Sequence, residues 1–170
     1  MSIESLPLRL KAFRLPSFLA YYEELAERAT KENWKPVRYL EELAAIEAHE
    51  RQDRKITRLM KDSKLPRDKT LATLELGRLP TAVRGQLKQL CEGDFVEGAT
   101  NVCIIGNPGT GKTHAMAAIG HELVRQGRSV LFTSVSALVE RLLQAKRDLR
   151  LNRELKRLDR IDCLALDDIG

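Results

Sequence analysis

The 170-residue sequence has no apolar run that approaches the ~20 residues required by a membrane-crossing helix. Residues 1–5 lack a charged segment followed by an apolar one, so we expect no secretory signal. The three cysteines, at positions 91, 103 and 163, form no C-x-x-C pair, and no histidine lies at metal-ligand spacing from them. These absences argue against a disulfide framework and a zinc motif, and they predict a soluble cytoplasmic protein with buried or inert thiols.

No internal repeat or low-complexity segment is apparent, and the chain divides into two parts. Residues 1–90 are polar, are punctuated by prolines and carry apolar residues at helical spacing, which predicts an all-helical N-terminal domain that binds DNA or a partner. Residues 91–170 alternate apolar runs with helical patterns, as is typical of a β-α-β-α-β nucleotide-binding domain.

The second part contains a complete G-x-x-x-x-G-K-[ST] phosphate-binding loop at residues 106–113. Its glycines let the backbone turn tightly and point N–H groups at phosphate oxygens, and the following helix adds its positive dipole end. Lys112 is predicted to contact the β- and γ-phosphates, and the Thr113 hydroxyl to ligate Mg²⁺. The predicted nucleotide-binding residues are Gly106, Asn107, Pro108, Gly109, Thr110, Gly111, Lys112, Thr113 and His114.

The residues around the loop support this interpretation. The apolar run 102–105 predicts a buried parallel strand before the loop. Apolar residues recur at helical spacing from Ala115 to Val124, until Gly127 ends the pattern. His114 follows the loop directly, so it is either a further phosphate contact or a solvated residue of the first helical turn.

Residues 161–166 predict another strand, which ends at Asp167 and Asp168. The C-terminal end of a neighbouring strand is where a Mg²⁺-binding carboxylate must sit. We assign Asp167 to the metal, and Asp168 to orienting or deprotonating the attacking water, with Lys112 as the other catalytic residue. The alternative for the two aspartates is a helix N-cap or a turn.

The net charge of +5 is unevenly spread. Residues 51–69 hold eight basic and three acidic side chains. At ~100° per residue, five of the basic ones cover one arc of a helix, while Ile56, Leu59 and Met60 lie on another. Such a face suits sequence-independent contacts with DNA phosphates, and the alternative is an ordinary solvated face. The predicted DNA-binding residues are Arg51, Arg54, Lys55, Arg58 and Lys61.

Two further patterns leave alternatives open. Apolar residues at positions 37, 40, 43 and 44 extrapolate onto the arc that later becomes basic, so the helix either projects from the body or breaks near residues 50–51. A second basic cluster spans residues 141–160, and Ser136 is the expected N-cap of the helix that starts it. This cluster is a DNA contact, a subunit surface or a solvated face.

With these features the chain resembles the IstB-like transposition helper ATPases of the AAA+ class, over essentially all of its length. The resemblance rests on an ordered series of segments at 39–43, 47, 51, 54–55, 58–59, 64–66, 69–71, 101–102, 111–114, 127–130 and 166–170. It implies an ATP-dependent, DNA-binding helper that uses Mg²⁺, forms a homo-oligomer when full length, and recruits or stimulates the transposase of its own element.

Other hypotheses remain beside this one. Helicase loaders of the DnaC type have a similar ATPase core, although they would need a helicase-docking segment at the N-terminus. A non-enzymatic DNA-binding remnant would keep the basic arm and lose the ATPase. A P-loop kinase of small molecules is disfavoured, because a basic helical domain before the loop has no role in such an enzyme.

The resemblance implies an α/β fold, in which a P-loop AAA+ core follows the all-helical N-terminal domain. Sheets of that class have the strand order 5-1-4-3-2, with the fourth strand between those expected at 102–105 and 161–166. Related ATPases continue with a sensor strand, an arginine finger and a helical lid. The chain is therefore expected to be truncated soon after Asp168 and to hold an incomplete parallel sheet with flanking helices.

We predict that the chain made alone folds marginally, because strands beside a gap leave backbone N–H and C=O groups unpaired. It is expected to bind ATP but to hydrolyse it poorly. Where related ATPases have Glu, the Asp168 carboxylate is also withdrawn by one C–C bond, ~1.5 Å. A thermal melt and an ATP turnover assay on the purified chain test this prediction, and a cooperative melt with fast turnover would contradict it.

Overall fold

The computed structural model describes residues 5–168, so the sequence features at residues 1–4 and 169–170, including the expected end at Gly170, lie outside the described residues. The chain forms two compact units, Met1–Lys55 and Ile56–Gly170. The division at about residue 90 was drawn on function, and it stays a prediction. None of the helices within the described residues is long and apolar enough to cross a membrane.

The first unit is helical. It contains α1 (Leu6–Ala12), α2 (Pro16–Lys31) and most of α3 (Pro36–Ser63). Prolines at the starts of α2 and α3 suit the first helical position, where the missing N–H costs no hydrogen bond. Its buried apolar residues are Leu10, Leu25 and Leu43.

A buried carboxylate of α3 caps the first turn of α2. The Ser17 backbone N–H donates to Glu47 Oε2 at 2.9 Å, and the Ser17 hydroxyl donates to Glu50 Oε2 at 2.8 Å. Glu47 is only 5% exposed, and its second oxygen accepts from Arg51 at 3.0 Å and from Arg54 at 3.2 Å. The cluster therefore satisfies both a helix N-terminus and a buried charge.

The α3 helix is continuous through residues 50–51, so the alternative of a break there is wrong. Its early apolar residues do not share one buried side either, because Leu43 is buried while Val37 and Leu40 are exposed. The face that packs within the first unit instead repeats through Tyr39, Leu43 and Glu47, at the spacing of one helical side.

The second unit is built around one helix, α6 (Lys112–Arg125). Before it lie a 3₁₀ turn (Leu76–Arg78), α4 (Thr81–Glu92) and α5 (Asp94–Glu97). After it come β1 (Val130–Ser134), α7 (Val135–Arg147), α8 (Leu151–Leu158) and β2 (Cys163–Asp167). Ser134 caps α7, not Ser136, because the Ser134 hydroxyl accepts the Ala137 backbone N–H.

The core of this unit surrounds α6, whose Leu123 and Val124 are fully buried. Burying side chains of this size contributes roughly 1.5–3 kcal/mol each. The predicted apolar residues of α3 lie against the same core. The core and the residues packed on it include Leu65, Leu87, Ala117, Ile119, Val130, Ile56, Leu59 and Met60.

Strands β1 and β2 pair in parallel, in a register that runs from Val130 beside Cys163 to Ser134 beside Asp167. The Asp162 carboxylate fixes the start of this ladder, since it accepts both the backbone N–H and the hydroxyl of Ser129 at 2.7 Å. The α/β class with a small parallel sheet is therefore confirmed.

The predicted strand at residues 102–105 is wrong. Among the described residues the sheet has only β1 and β2, and the 102–105 segment is irregular. Ile105 is 92% exposed, and only Ile104 packs against the core. An apolar run becomes a strand only when a neighbouring strand pairs its N–H and C=O groups, and no described strand lies beside this one.

The Glu47 cluster generates a prediction about acid stability. Burial alone would raise the Glu47 pKa, but hydrogen bonds from Ser17 and the charge of Arg51 outweigh burial and lower this pKa from its ordinary value of 4.5. A lowered pKa stabilises the fold above the unfolded value, and this stabilisation is lost as the pH falls through the folded value. Glu47→Gln should therefore cost about 1.5–3 kcal/mol at pH 7, and the difference from the wild type should shrink below pH 4.5.

Thermal or denaturant unfolding of the two proteins between pH 3 and pH 7, a range chosen to bracket that pKa, measures the effect. Glu41→Gln is the matched control, because Glu41 is an exposed residue of the same helix and should leave stability unchanged. Equal stability of the wild type and Glu47→Gln at pH 7 would contradict the prediction.

Candidate functional site

The loop before α6 has the backbone conformation that its glycines allow. Gly109 and Gly111 have φ values of +77° and +87°, in the left-handed region that L-residues with a Cβ avoid. At Gly106 the constraint is space, since a Cβ there would lie 3.0 Å from Thr110 Oγ1. Three glycines of the motif are thus required by two different physical constraints.

The Lys112 ammonium lies over the loop. Its Nζ donates to the carbonyl oxygens of Gly106 and Asn107, both at 2.9 Å. The Thr110 hydroxyl donates to the same Asn107 oxygen at 2.8 Å, which closes the turn. The structure therefore holds the positive charge beside the backbone that would surround a phosphate.

The first turn of α6 points unpaired backbone donors at the loop. Ala115 is the first residue of the helix whose N–H has a backbone acceptor, Gly111 O at 2.8 Å. Within the described residues, the N–H groups of Lys112, Thr113 and His114 have no backbone acceptor. Such donors, together with the helix dipole, attract anions.

The fold brings Thr113 to the end of β2. The Thr113 hydroxyl donates to Asp167 Oδ1 at 3.1 Å, although the two residues are 54 positions apart in the sequence. Both side chains are half-buried. A hydroxyl and a carboxylate oxygen side by side are hard ligands of the kind that Mg²⁺ prefers. Within residues 5–168 no group of three or more His, Cys, Asp and Glu side chains could hold a metal by itself.

Asp168 follows β2 directly and is exposed. Its backbone has a φ of +54°, a left-handed conformation that aspartate tolerates better than most residues. This turn lets the chain leave the strand at the end where Asp167 meets Thr113. The assignment of Asp168 to the attacking water stays a prediction.

The His114 side chain has partners that the sequence did not reveal. Its ring Nε2 donates to Thr70 O at 3.0 Å and lies 3.2 Å from Thr73 Oγ1. The ring therefore faces residues 64–79, which we call the connector. A phosphate contact by the His114 side chain stays a prediction, and its backbone N–H remains available for one.

The five predicted DNA-binding residues differ in their surroundings. Arg51 and Arg54 form ion pairs with Glu47, and Arg54 also pairs with Glu50. Lys55, Arg58 and Lys61 are exposed, and none of the three forms an ion pair with any residue that the structure describes. Lys55 belongs to the first unit, and Arg58 and Lys61 belong to the second.

The second basic cluster lies on α7 and α8. Arg141 forms an ion pair with Glu154 and so ties the two helices together. Other basic residues stay exposed around a concave surface and include Arg150, Arg153, Lys156, Arg157 and Arg160. The structure does not distinguish among a DNA contact, a subunit surface and a solvated face.

All three cysteines are free. Cys91 and Cys163 are half-buried, and burial, followed by nearby carboxylates, raises the pKa of both thiols. A raised pKa disfavours the thiolate, so these two thiols are unreactive at neutral pH. Cys103 is exposed, which corrects the expectation that all three are buried.

Residues 8–170 match the family described as IstB-like ATP binding protein. The chain is similar to an insertion-sequence ATP-binding protein of Sinorhizobium fredii, with 36% identity over 166 residues. It is also similar to the IS21 ATP-binding protein of Pseudomonas aeruginosa, with 32% identity over 168 residues, and to that of IS5376 from Geobacillus stearothermophilus, with 30% over 156 residues.

These similarities cover 97%, 99% and 92% of this chain, respectively. They cover only 56%, 63% and 62% of the three relatives. The chain therefore spans about three fifths of the length of the curated relatives it matches.

Proposed function

The chain belongs to the family of IstB-like ATP-binding proteins, and we propose that it binds ATP with Mg²⁺ as a helper of DNA transposition. The single observation that carries the proposal is the contact between Thr113, at the end of the loop, and Asp167, at the end of β2. The two residues come from the two sequence motifs assigned to the nucleotide and its metal. Their contact makes one site out of two separate motifs.

The residues present fit a bound triphosphate. The left-handed glycines at 109 and 111 shape the loop, and the unpaired N–H groups of 112–114 supply donors. The Lys112 ammonium can exchange two carbonyl oxygens for charged phosphate oxygens, and hydrogen bonds to charged partners are the stronger ones. Bound Mg²⁺ would neutralise charge on the phosphates, with Thr113 and Asp167 holding it.

We assign the chain's residues to distinct tasks in ATP hydrolysis. The loop and Lys112 bind and orient the phosphates, and Asp167 orients the Thr113 hydroxyl. Asp168 is exposed at the same end of β2, where its carboxylate would accept a proton from the attacking water. Because Asp168 has a short side chain, we propose that hydrolysis by this chain is slow.

DNA is the proposed macromolecular ligand. Lys55, Arg58 and Lys61 are exposed and without ion pairs among the described residues, so phosphates can bind them without breaking a protein contact. Arg51 and Arg54 would first have to share or leave the Glu47 carboxylate. We propose that the first three make the main DNA contacts, and that these contacts read no base sequence.

The protein partners are proposed from the family. Relatives of this chain are named as ATP-binding proteins of insertion sequences, which supports a transposase of the same element as the partner. A homo-oligomer of the full-length protein is proposed on the same ground. The exposed basic cluster of α7 and α8 is available for either a subunit contact or DNA.

Replacing the loop lysine tests nucleotide binding. Lys112→Ala should abolish detectable binding of ATP with Mg²⁺ in isothermal titration, because it removes the charge that neutralises the phosphates. DNA binding should be partly retained, since the exposed residues of α3 are untouched. Lys88→Ala is the matched control, because Lys88 is an exposed lysine of α4 and its loss should leave ATP affinity unchanged. Unchanged ATP affinity of Lys112→Ala would contradict the proposal.

Removing two charges tests DNA binding. The double variant with Arg58→Ala and Lys61→Ala should bind unrelated duplexes more weakly by a similar factor, and the slope of log affinity against log salt should fall by about one per lost phosphate contact. Arg9→Ala with Lys11→Ala removes the same charge from exposed positions of α1 and serves as the control. An unchanged salt slope, or an equal effect of the control, would contradict the assignment.

A further inference from the structure

Two histidines of α6 fasten the connector along this helix. His114 and His121 are seven residues apart and so lie on one side of α6. The ring Nε2 of His114 donates to Thr70 O at 3.0 Å, and that of His121 donates to Pro66 O at 2.9 Å. A carbonyl oxygen can only accept, so both rings carry a proton on Nε2.

The two ends of this attachment differ in burial. His121 is 5% exposed and Leu65 is 7% exposed. Next to them the connector approaches α6 so closely that a Cβ on Gly120 would lie 2.7 Å from Leu65 Cδ2. His114 is half-buried, and its contact with Thr73 is exposed to solvent. The end at His121 is therefore fixed in the core, and the end at His114 opens at low cost.

His114 also belongs to the phosphate-binding turn. It is the third residue of α6, and its backbone N–H has no backbone acceptor among the described residues. An anion bound at this helix end stabilises the first turn and so restrains the His114 backbone. The same residue thus contacts the connector through its ring and faces the loop through its N–H.

The connector continues directly from α3. The Ser63 side chain is buried, its hydroxyl donates to Met60 O at 2.8 Å, and its oxygen accepts the Leu65 N–H at 3.2 Å. These bonds tie the last turn of α3 to the start of the connector. Arg58 and Lys61, two proposed DNA contacts, lie within this last part of the helix.

We propose that the connector is a nucleotide-responsive strap, in which His114 links phosphate binding at the loop to the ordering of Thr70 and Thr73. The inference rests on the proposed binding of ATP. Bound phosphates restrain the first turn of α6, and the restrained His114 ring holds the outer end of the connector closed. By linkage, the closed connector must favour nucleotide binding by the same factor.

Amide hydrogen exchange measures this coupling. The N–H groups of Thr70 and Thr73 are the reporters, because they bond within the turn that His114 holds, to Thr73 Oγ1 at 3.0 Å and to Thr70 O at 3.2 Å. A non-hydrolysable ATP analogue with Mg²⁺ should slow their exchange about two- to tenfold in the wild type, the range that one hydrogen bond supplies. His114→Ala should remove this slowing and weaken binding of the analogue by a similar factor.

Two variants separate coupling from a merely structural role. His114→Gln keeps an N–H donor near the position of Nε2 and should restore the slowing. His49→Ala makes the same change as His114→Ala at an exposed position of α3 and should change nothing.

The outcomes distinguish the two proposals. If the wild type binds no analogue, the proposed function fails and this inference fails with it. If the analogue slows exchange in residues 106–113 but not at Thr70 and Thr73, only this inference is overturned. It is also overturned if His114→Ala keeps the wild-type slowing.

Discussion

The burial of α6 is the constraint on which the rest of the second unit depends. Leu123 and Val124 have no exposed surface, and the residues around them come from segments on both sides of this helix in the sequence. Fixing α6 by its C-terminal half leaves its N-terminal turn at the surface, with the loop attached to it. The apolar core therefore positions the phosphate-binding end without using any loop residue as a packing element.

The second strand depends on the same constraint. Strand β1 follows α6 after a short turn and buries Val130 against the core, and the register of β2 on β1 then fixes where Asp167 lies. Because parallel strands end at the same edge of a sheet, Asp167 reaches the side where α6 begins. The 3.1 Å contact with Thr113 is thus a consequence of helix burial and strand register together.

Local motifs were more predictable than contacts between distant segments. The left-handed glycines of the loop, the helix after it and the strand ending at Asp167 follow from residue type and spacing. The irregular 102–105 segment was not predictable from its own residues, because a strand depends on its neighbour. The partners of His114 were hidden too, since Thr70 lies 44 positions away and neither residue announces the contact.

The central claim is that Lys112, Thr113 and Asp167 form one site for a nucleotide and its metal. The most direct measurement is a crystal structure of the chain with a non-hydrolysable ATP analogue and Mg²⁺. The account predicts that Lys112 Nζ leaves the carbonyl oxygens of Gly106 and Asn107 for phosphate oxygens, with the metal beside Thr113 and Asp167. Nucleotide bound elsewhere, or a Lys112 that keeps both carbonyl contacts in the bound state, would contradict it.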